Sequence, residues 1–473
     1  MHLPVAFTAE LQAQLGSQYT DFEAALSYLP PVSIRYNPAK VSASSRLQIG
    51  KSSPLLLAKE KGLGDEVLWH DHAFYLSTRP VFTLDPLFHA GAYYVQEASS
   101  MLVAHALAQV ADLSKPLRVL DLCAAPGGKT TLLASRLHPD SLLVANEVIK
   151  SRVVILKENV QKWGHPNVHI CHHDPEDLGR LEAFFDVILI DAPCSGEGLF
   201  RKDPAAINEW SPDNVQLCSA RQKRILEAAL PLLAPKGTLL YCTCTYNDTE
   251  NQRSLDALTA DADFEEQKIK LPESWGVTPK AVGYQCYPHR VRGEGFFFSV
   301  FRKKNVPRAA QRYDSLPKKG KEEGFKSCKR LHAKQTAEVA RWLEKPDDFH
   351  FFIKPNGEVL AFLDSQLDDI RILDNLLFAK GLGLEMGEFK GNDFIPSHAL
   401  ALSTALSSQI PTLELTEGEA LQFLKKENLL LDAPKGWLLV TYQELGLGWV
   451  KGLGNRLNNY LPKDWRIRME LPE

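Results

Sequence analysis

LRVLDLCAAPGGKT, residues 117–130, joins a nearly all-apolar run to a helical pattern through a turn of proline and glycine. Such a run suits a strand covered on both faces, and strands of that kind belong to parallel sheets. Outward from it the same alternation repeats. LLVANE (142–147), NVHICHHD (167–174), FDVILIDAP (185–193), GTLLYCTCTY (237–246) and FFFSVFRK (296–303) read as further strands. Helical patterns fall between them, as at Thr130–Leu137 and Gln216–Leu233. Regular alternation of this kind predicts an α/β fold, a doubly wound, mostly parallel Rossmann-like sheet over residues 91–305. Ligands of such sheets bind in the crevice at the carboxyl ends of the strands.

The turn supplies the first candidate residues: Cys123, Ala124, Ala125, Pro126, Gly127, Gly128 and Lys129. Pro126 fixes one backbone angle, and Gly127 and Gly128 let the backbone approach a ligand closely. Amides at the helix start suit a ligand carboxylate. The turn is neither GxGxxG nor a Walker loop. Glu147 closes the second strand, where an acid accepts both ribose hydroxyls. Asp174 closes the third, placed for an adenine amino group, and Asp191 closes the fourth, facing the reacting end. Acids at three successive strand ends, without a dinucleotide fingerprint, favour S-adenosylmethionine over NAD. Lys129 suits the cofactor, an RNA phosphate or a plain surface position.

Two cysteine motifs follow: DAPCSGEG (191–198) and TCT (243–245). Carbon-5 of cytosine is a poor nucleophile until a thiolate adds at carbon-6. That route needs a thiolate, an acid near ring nitrogen 3 and a base. Cysteine is both a good nucleophile and a good leaving group. Cys194 and Cys244 are the candidate catalytic thiols, and Asp191 the candidate acid. Strict alternation turns Cys242 to the opposite strand face from Cys244, which argues for packing and against a metal or redox pair. Cys171, Cys218, Cys286 and Cys328 read as small buried hydrophobes.

The chain has 473 residues, 44% hydrophobic and 24% charged, so two or three domains are expected. No apolar run approaches membrane-helix length, and the opening MHLPVAFTAELQAQL, with no basic stretch before an apolar one, leads to the expectation of no secretory signal. Eight cysteines in this length are not a disulfide framework, and none is spaced like a zinc ribbon; no metal is expected. A reducing cytoplasm fits free thiols. A net charge of −4 argues against nucleic acid, yet the charge is unevenly spread. Arg302–Arg330 holds eleven Lys or Arg against three acids, and Trp449–Arg468 five against one.

Residues 1–90 read as a small α+β domain. Phe7, Leu11 and Leu15, then Phe22, Leu26 and Leu29, recur at helical spacing, Pro30-Pro31 stops the helix, and SIRYNP (33–38) enters a strand. Residues 306–330 read as a basic linker and 331–405 as an intermediate α/β region with a hairpin at Asn356-Gly357. Residues 406–473 read as a small β-rich module, with short strands separated by glycines.

DLCAAPGGKT, DAPCSGEG and YCTCT resemble the central motifs of the Sun-type family of RNA 5-methylcytosine methyltransferases, most of all its RsmF-like 16S ribosomal RNA enzymes. SIRYNP and GAYYVQEASSM (91–101) resemble the family's RNA-recognition strand and the lead into its catalytic domain. PSHALA (396–401) and LGWVKGLGNRLNNYLP resemble its C-terminal PUA-type region. The resemblance implies a methyltransferase sheet with S-adenosylmethionine at Cys123–Lys129, Glu147, Asp174 and Asp191, Cys244 as nucleophile, and Cys194 releasing product. DNA cytosine methyltransferases instead attack with a Pro-Cys thiol, which selects Cys194; residue chemistry alone leaves both open. The family often has ENE after TCT, where this chain has Glu250-Asn251-Gln252. The implied partner is RNA, foremost 16S ribosomal RNA in the small subunit, bound by a monomer. Transfer RNA is the alternative substrate, and a non-catalytic assembly factor or a DNA enzyme the competing functions. Arg35 is a candidate for the RNA backbone, and Phe200, Arg201 and Lys202 for the border of a flipped nucleotide.

Overall fold

The computed structural model describes residues 2–42, 65–304, 324–377, 381–391 and 393–470. Two helices, Val5–Leu15 and Tyr19–Ser27, open the chain. Their buried faces hold Phe7, Leu11, Phe22 and Leu26, at the spacing expected, and pack on Phe200, Trp210 and Tyr246. Leu29, expected on that stripe, is 92% exposed. β1 (Val32–Tyr36) is the strand anticipated in SIRYNP. It pairs antiparallel with β2 (Ala73–Leu76) on one edge and β3 (Tyr93–Val95) on the other. The division expected between residues 90 and 91 cuts this sheet, because β1 needs Tyr93–Val95 to satisfy its second edge.

Among the described residues the central sheet has nine strands: β4 (Arg118–Asp121), β5 (Leu142–Asn146), β6 (Val168–Cys171), β7 (Phe185–Asp191), β8 (Leu233–Thr243), β9 (Phe264–Glu266), β10 (Thr278–Pro279), β11 (Tyr284–Cys286) and β12 (Phe296–Lys303). The order β6-β5-β4-β7-β8 is parallel throughout, and β12 adds antiparallel to β8. Strand order reverses between β4 and β7, which sets the ligand crevice at their carboxyl ends. Each face carries its own apolar layer. One holds Leu107, Leu133, Leu156 and Leu240; the other holds Leu120, Ile188, Ile190, Ile225 and Leu226. The helix Pro212–Ala229 covers the second face, started by Ser211 accepting from the Asn214 amide and by Pro212 in its first turn.

A third sheet runs β13 (Lys329–Arg330), β14 (Phe349–Ile353), β15 (Glu358–Leu363), β16 (Leu384–Lys390) and β17 (Asp393–Pro396). The expected linker at 306–330 falls mostly outside the described residues. Its far end is no linker, since Lys329–Arg330 pairs with β14. The hairpin at Asn356-Gly357 is present, with Gly357 at φ +91. The helix Leu367–Leu377 joins the second apolar layer of the central sheet through Ile370 and Leu373. A fourth sheet, β18 (Thr412–Glu414), β19 (Gly436–Tyr442), β20 (Leu445–Gly452) and β21 (Leu457–Asn459), forms the C-terminal module. Among the described residues no helix is long and apolar enough to cross a membrane.

Candidate active site

The cofactor turn leaves the end of β4. Asp121 is fully buried there and accepts from Thr130 Oγ1 at 2.7 Å, tying the helix Gly128–Ala134 to the strand. Gly127 adopts φ +109. A Cβ on it would lie 3.3 Å from Leu156 Cδ1, and one on Gly128 would lie 3.4 Å from the Tyr94 ring. The two glycines thus let the turn pack closely against its protein neighbours. Asn159 Nδ2 donates to the Pro126 carbonyl at 2.8 Å and Arg152 Nη2 to that of Ala125 at 2.6 Å.

Glu147 follows β5 and is 2% exposed. Its Oε1 accepts from the Ile149 amide at 2.9 Å, and Arg152 Nη1 lies 3.2 Å from Oε2, which has no hydrogen-bond partner. Asp174 does not close a strand as expected. β6 stops at Cys171, and the Asp174 carboxylate pairs with Arg224 at 3.0 Å. Asn146 binds this rim together: it donates to the carbonyls of Leu122 and His173 and accepts from the His173 amide.

Cys194 follows β7 and Cys244 follows β8, one residue past the strand. Their sulfurs are 3.1 Å apart, both free and both partly exposed. The Cys244 amide also points at the Cys194 sulfur, at 3.4 Å. The hydrogen bond to Cys244, then burial, push the Cys194 thiol well above its ordinary range. Cys242 is fully buried, as the alternation predicts, with its sulfur 3.6 Å from Asp191 Oδ1.

Lys129 Nζ sits 2.8 Å from Asp191 Oδ2 and 5.3 Å from the Phe296 ring centroid. Burial alone would favour the neutral amine. The Asp191 carboxylate, by charge and by hydrogen bond, outweighs it and holds Lys129 above the usual lysine value, so it stays charged.

Two carboxylates fix the separation of the thiols, and the sequence reading missed both as functional. Glu197 accepts from Trp210 Nε1 (3.0 Å), the amides of Tyr246 (2.8 Å) and Asn247 (3.0 Å), Thr245 Oγ1 and Asn247 Nδ2. Glu250 accepts from the Ser195 amide (2.9 Å), the Ser195 hydroxyl, Gln222 Nε2 (2.9 Å) and Asn247 Nδ2 (2.8 Å). The SGEG loop and the segment after TCT are thereby one hydrogen-bonded unit. Glu250 and Asn251 are fully buried, while Gln252, the departure from ENE, is only partly buried and bonds Asp248. At Gly198 a Cβ would lie 2.5 Å from the Gly295 carbonyl and 2.8 Å from that of Cys244, so this position has room only for glycine.

Three side candidates resolve differently from expectation. Arg35 is fully buried; it donates to Thr131 Oγ1 (2.7 Å) and Gln96 Oε1 (2.9 Å) and stacks on Trp163, clamping β1 to the cofactor helix. Phe200 lies in the core against Phe7. Arg201 pairs with buried Glu294 at 2.9 Å, which leaves Lys202 as the exposed member of that trio.

A model of the 16S rRNA methyltransferase RsmB/F family matches residues 108–302. Models of the RsmF N-terminal domain and the RsmF PUA domain match residues 3–98 and 410–467. The first of these two runs through β3, as the sheet requires. Ribosomal RNA small subunit methyltransferase F of Escherichia coli O17:K52:H18 is 30% identical over 98% of this chain and 96% of its own length. Its counterpart in Shewanella loihica is 34% identical over 79% of this chain and 77% of its own. The solved structure of a methyltransferase homolog protein from Pyrococcus horikoshii, 27% identical, covers 64% of this chain and 100% of its own with a TM-score of 0.52. With the thiol pair at the ends of β7 and β8 and 30% identity over nearly the full length of both chains in agreement, the chain belongs to the ribosomal RNA small subunit methyltransferase F family.

Proposed function

We propose that this chain methylates carbon-5 of a cytosine in small-subunit ribosomal RNA, with S-adenosylmethionine as donor and Cys244 as the attacking thiol. The observation that carries the reading is the sulfur pair, 3.1 Å apart at the ends of β7 and β8, on the same strand-end rim as the Lys129–Asp191 pair. The relatives' names place small-subunit RNA as their substrate, and the match to a PUA domain supports an RNA-binding module at 410–467.

The donor site fits residues 123–129, Glu147, Asp174 and Asp191. Glu147 Oε2 lacks a hydrogen-bond donor that a ribose hydroxyl would supply. Arg152 and Arg224 hold Glu147 and Asp174 in place. When bound, the donor supplies an electrophilic methyl group on a sulfonium sulfur. The chain's own residues do the rest. The Cys244 thiolate adds to carbon-6, and Lys129–Asp191 meets the electron pair that shifts toward nitrogen 3 with a proton. That proton returns to the pair as carbon-5 bonds the methyl. Loss of the carbon-5 proton re-forms the 5,6 double bond and expels the Cys244 thiolate. Cys194 is placed to take that proton. Its thiol is held protonated mainly by its bond to Cys244; once the Cys244 sulfur is bonded to carbon that hold ends, Cys194 gives up its own proton to solvent, and its thiolate then accepts the carbon-5 proton.

The test is adduct formation on 16S ribosomal RNA. Cys194→Ala should accumulate a protein–RNA species that survives denaturing electrophoresis, and Cys244→Ala should form none. The reverse pattern would hand the attack to Cys194. No methyl incorporation into small-subunit RNA by the wild type would overturn the reading.

A further inference from the structure

A groove of about 660 Å³ separates the N-terminal sheet from the loop before β12. Its first wall is the start of β1 and the ends of β2 and β3, continuing to Arg79. Its second wall is residues 288–294, and Arg201 and Lys202 close one end. The chain as a whole carries a net charge of −4, yet this groove is cationic. Arg79, Lys202 and Arg290 are exposed and make no ion pair among the described residues. Arg290 donates to Thr278 Oγ1, and Arg79 rests on the Phe82 ring. Arg292 is exposed, with its guanidinium over the Tyr75 ring and paired to Asp65. The two acids of the groove are already engaged. Glu294 is paired with Arg201, and Glu97 accepts the amides of Ser99, Ser100 and Glu294. Among the described residues, Arg79, Lys202 and Arg290 thus bring charge to the groove that no ion pair offsets.

The groove's wall is joined to the loops that hold the thiols. Gly293 and Glu294 run into Gly295, whose carbonyl abuts Gly198, and Gly198 N donates to the Cys244 carbonyl at 2.9 Å. Lys202 stands eight residues after Cys194, on the loop that leaves the sulfur pair. The groove and the thiols are thus built on the same two loops. Solvent-facing cations that make no ion pair among the described residues suit successive phosphates, whose recognition is sequence-independent.

We propose that this groove binds the phosphate backbone of the substrate RNA next to the target cytosine, with Arg79, Lys202 and Arg290 as phosphate contacts. This rests on the RNA reading of the active site. The test compares the triple variant Arg79→Gln/Lys202→Gln/Arg290→Gln with a charge-matched control, Lys115→Gln/Lys223→Gln/Lys334→Gln, in the full-length protein. Binding of a 16S ribosomal RNA transcript is followed across salt concentrations, independent of turnover. The groove variant should lose about 2 from the log–log salt slope and weaken binding about tenfold to a hundredfold, as loss of three single-strand phosphate contacts requires. Its KM should rise with little change in kcat. The control should match the wild type, and both variants should unfold at the wild-type temperature. Equal slopes and affinities in the two variants would overturn the groove. A wild type that binds the transcript through the groove yet transfers no methyl would overturn the reaction instead.

Discussion

Asp121 ends β4 with no exposed surface, one oxygen held by Thr130 and the other, Oδ1, without a hydrogen-bond partner. Burial is the main cause of its pKa rising from 3.8 to about 7. A carboxyl whose folded pKa is raised binds more protons when folded. Its contribution to stability is complete below the unfolded value and is lost as pH climbs through about 7. Asp121→Asn removes that titration while keeping the shape. Between pH 5 and 8 the wild type should lose about 3 kcal/mol relative to this variant. Urea unfolding at several pH values measures it, and a constant difference between the two proteins would refute the shift. At this scale the sequence was legible where chemistry needs a rare residue type. Cys194, Cys244 and Asp191 could be placed together because each ends or follows an apolar strand run, and the two sulfurs stand 3.1 Å apart beyond β7 and β8. Glu197 and Glu250 could not. A glutamate in a polar loop reads as solvated, and only the folded loops show each one accepting several hydrogen bonds. Asp174 misled because the strand reading of NVHICHHD ran on through His172 and His173 to the acid, while the strand stops at Cys171.

The elements that build the site are held from outside the sheet. Arg35 reaches from β1 to Thr131 on the cofactor helix and lies on Trp163, the last residue of the helix Lys150–Trp163. Burial lowers its pKa to about 9, so it remains charged at neutral pH and is solvated by oxygens of the helix Gly128–Ala134 and of Gln96. Arg35→Met should strand those acceptors and cost about 2 kcal/mol. Amide hydrogen exchange of residues 128–134 should quicken more than that of β5. Unchanged exchange there would mean that the clamp does not hold the helix. The strands of the central sheet were legible because both of their faces are apolar. β13 was not, since two exposed basic residues at a sheet edge look like linker. β16 was hidden by Gly383 and Gly387, which break the alternation beside a register shift between Val359 and Leu360.

The four sheets share cores, which makes the molecule one unit despite its modular sequence. Ile34, Tyr36, Phe74 and Tyr93 of the N-terminal sheet pack in one cluster with Phe423, Val440, Val450 and Ile467 of the C-terminal module. Trp449 of that module carries the contact onward: it packs with Trp342 of the intermediate region and donates to the Ser397 carbonyl at 2.7 Å. The intermediate region in turn lies on the central sheet, with Arg118 paired to Asp369 at 2.8 Å and His169 bonded to Gln366 at 2.7 Å. Arg35 closes the circuit from β1 back to the cofactor helix. No segment can leave without exposing the apolar surface of another. Phe423 is fully buried at the centre of the first contact, so Phe423→Ala should cost about 3–5 kcal/mol. Removal of residues 406–473 should uncover Tyr36 and Phe74 and leave a chain that aggregates or melts far below the full-length protein. Calorimetry of the intact protein should show one transition, which Phe423→Ala shifts as a whole. Two resolved transitions, with the variant moving only one, would mean that the C-terminal module melts on its own and that the shared core couples nothing.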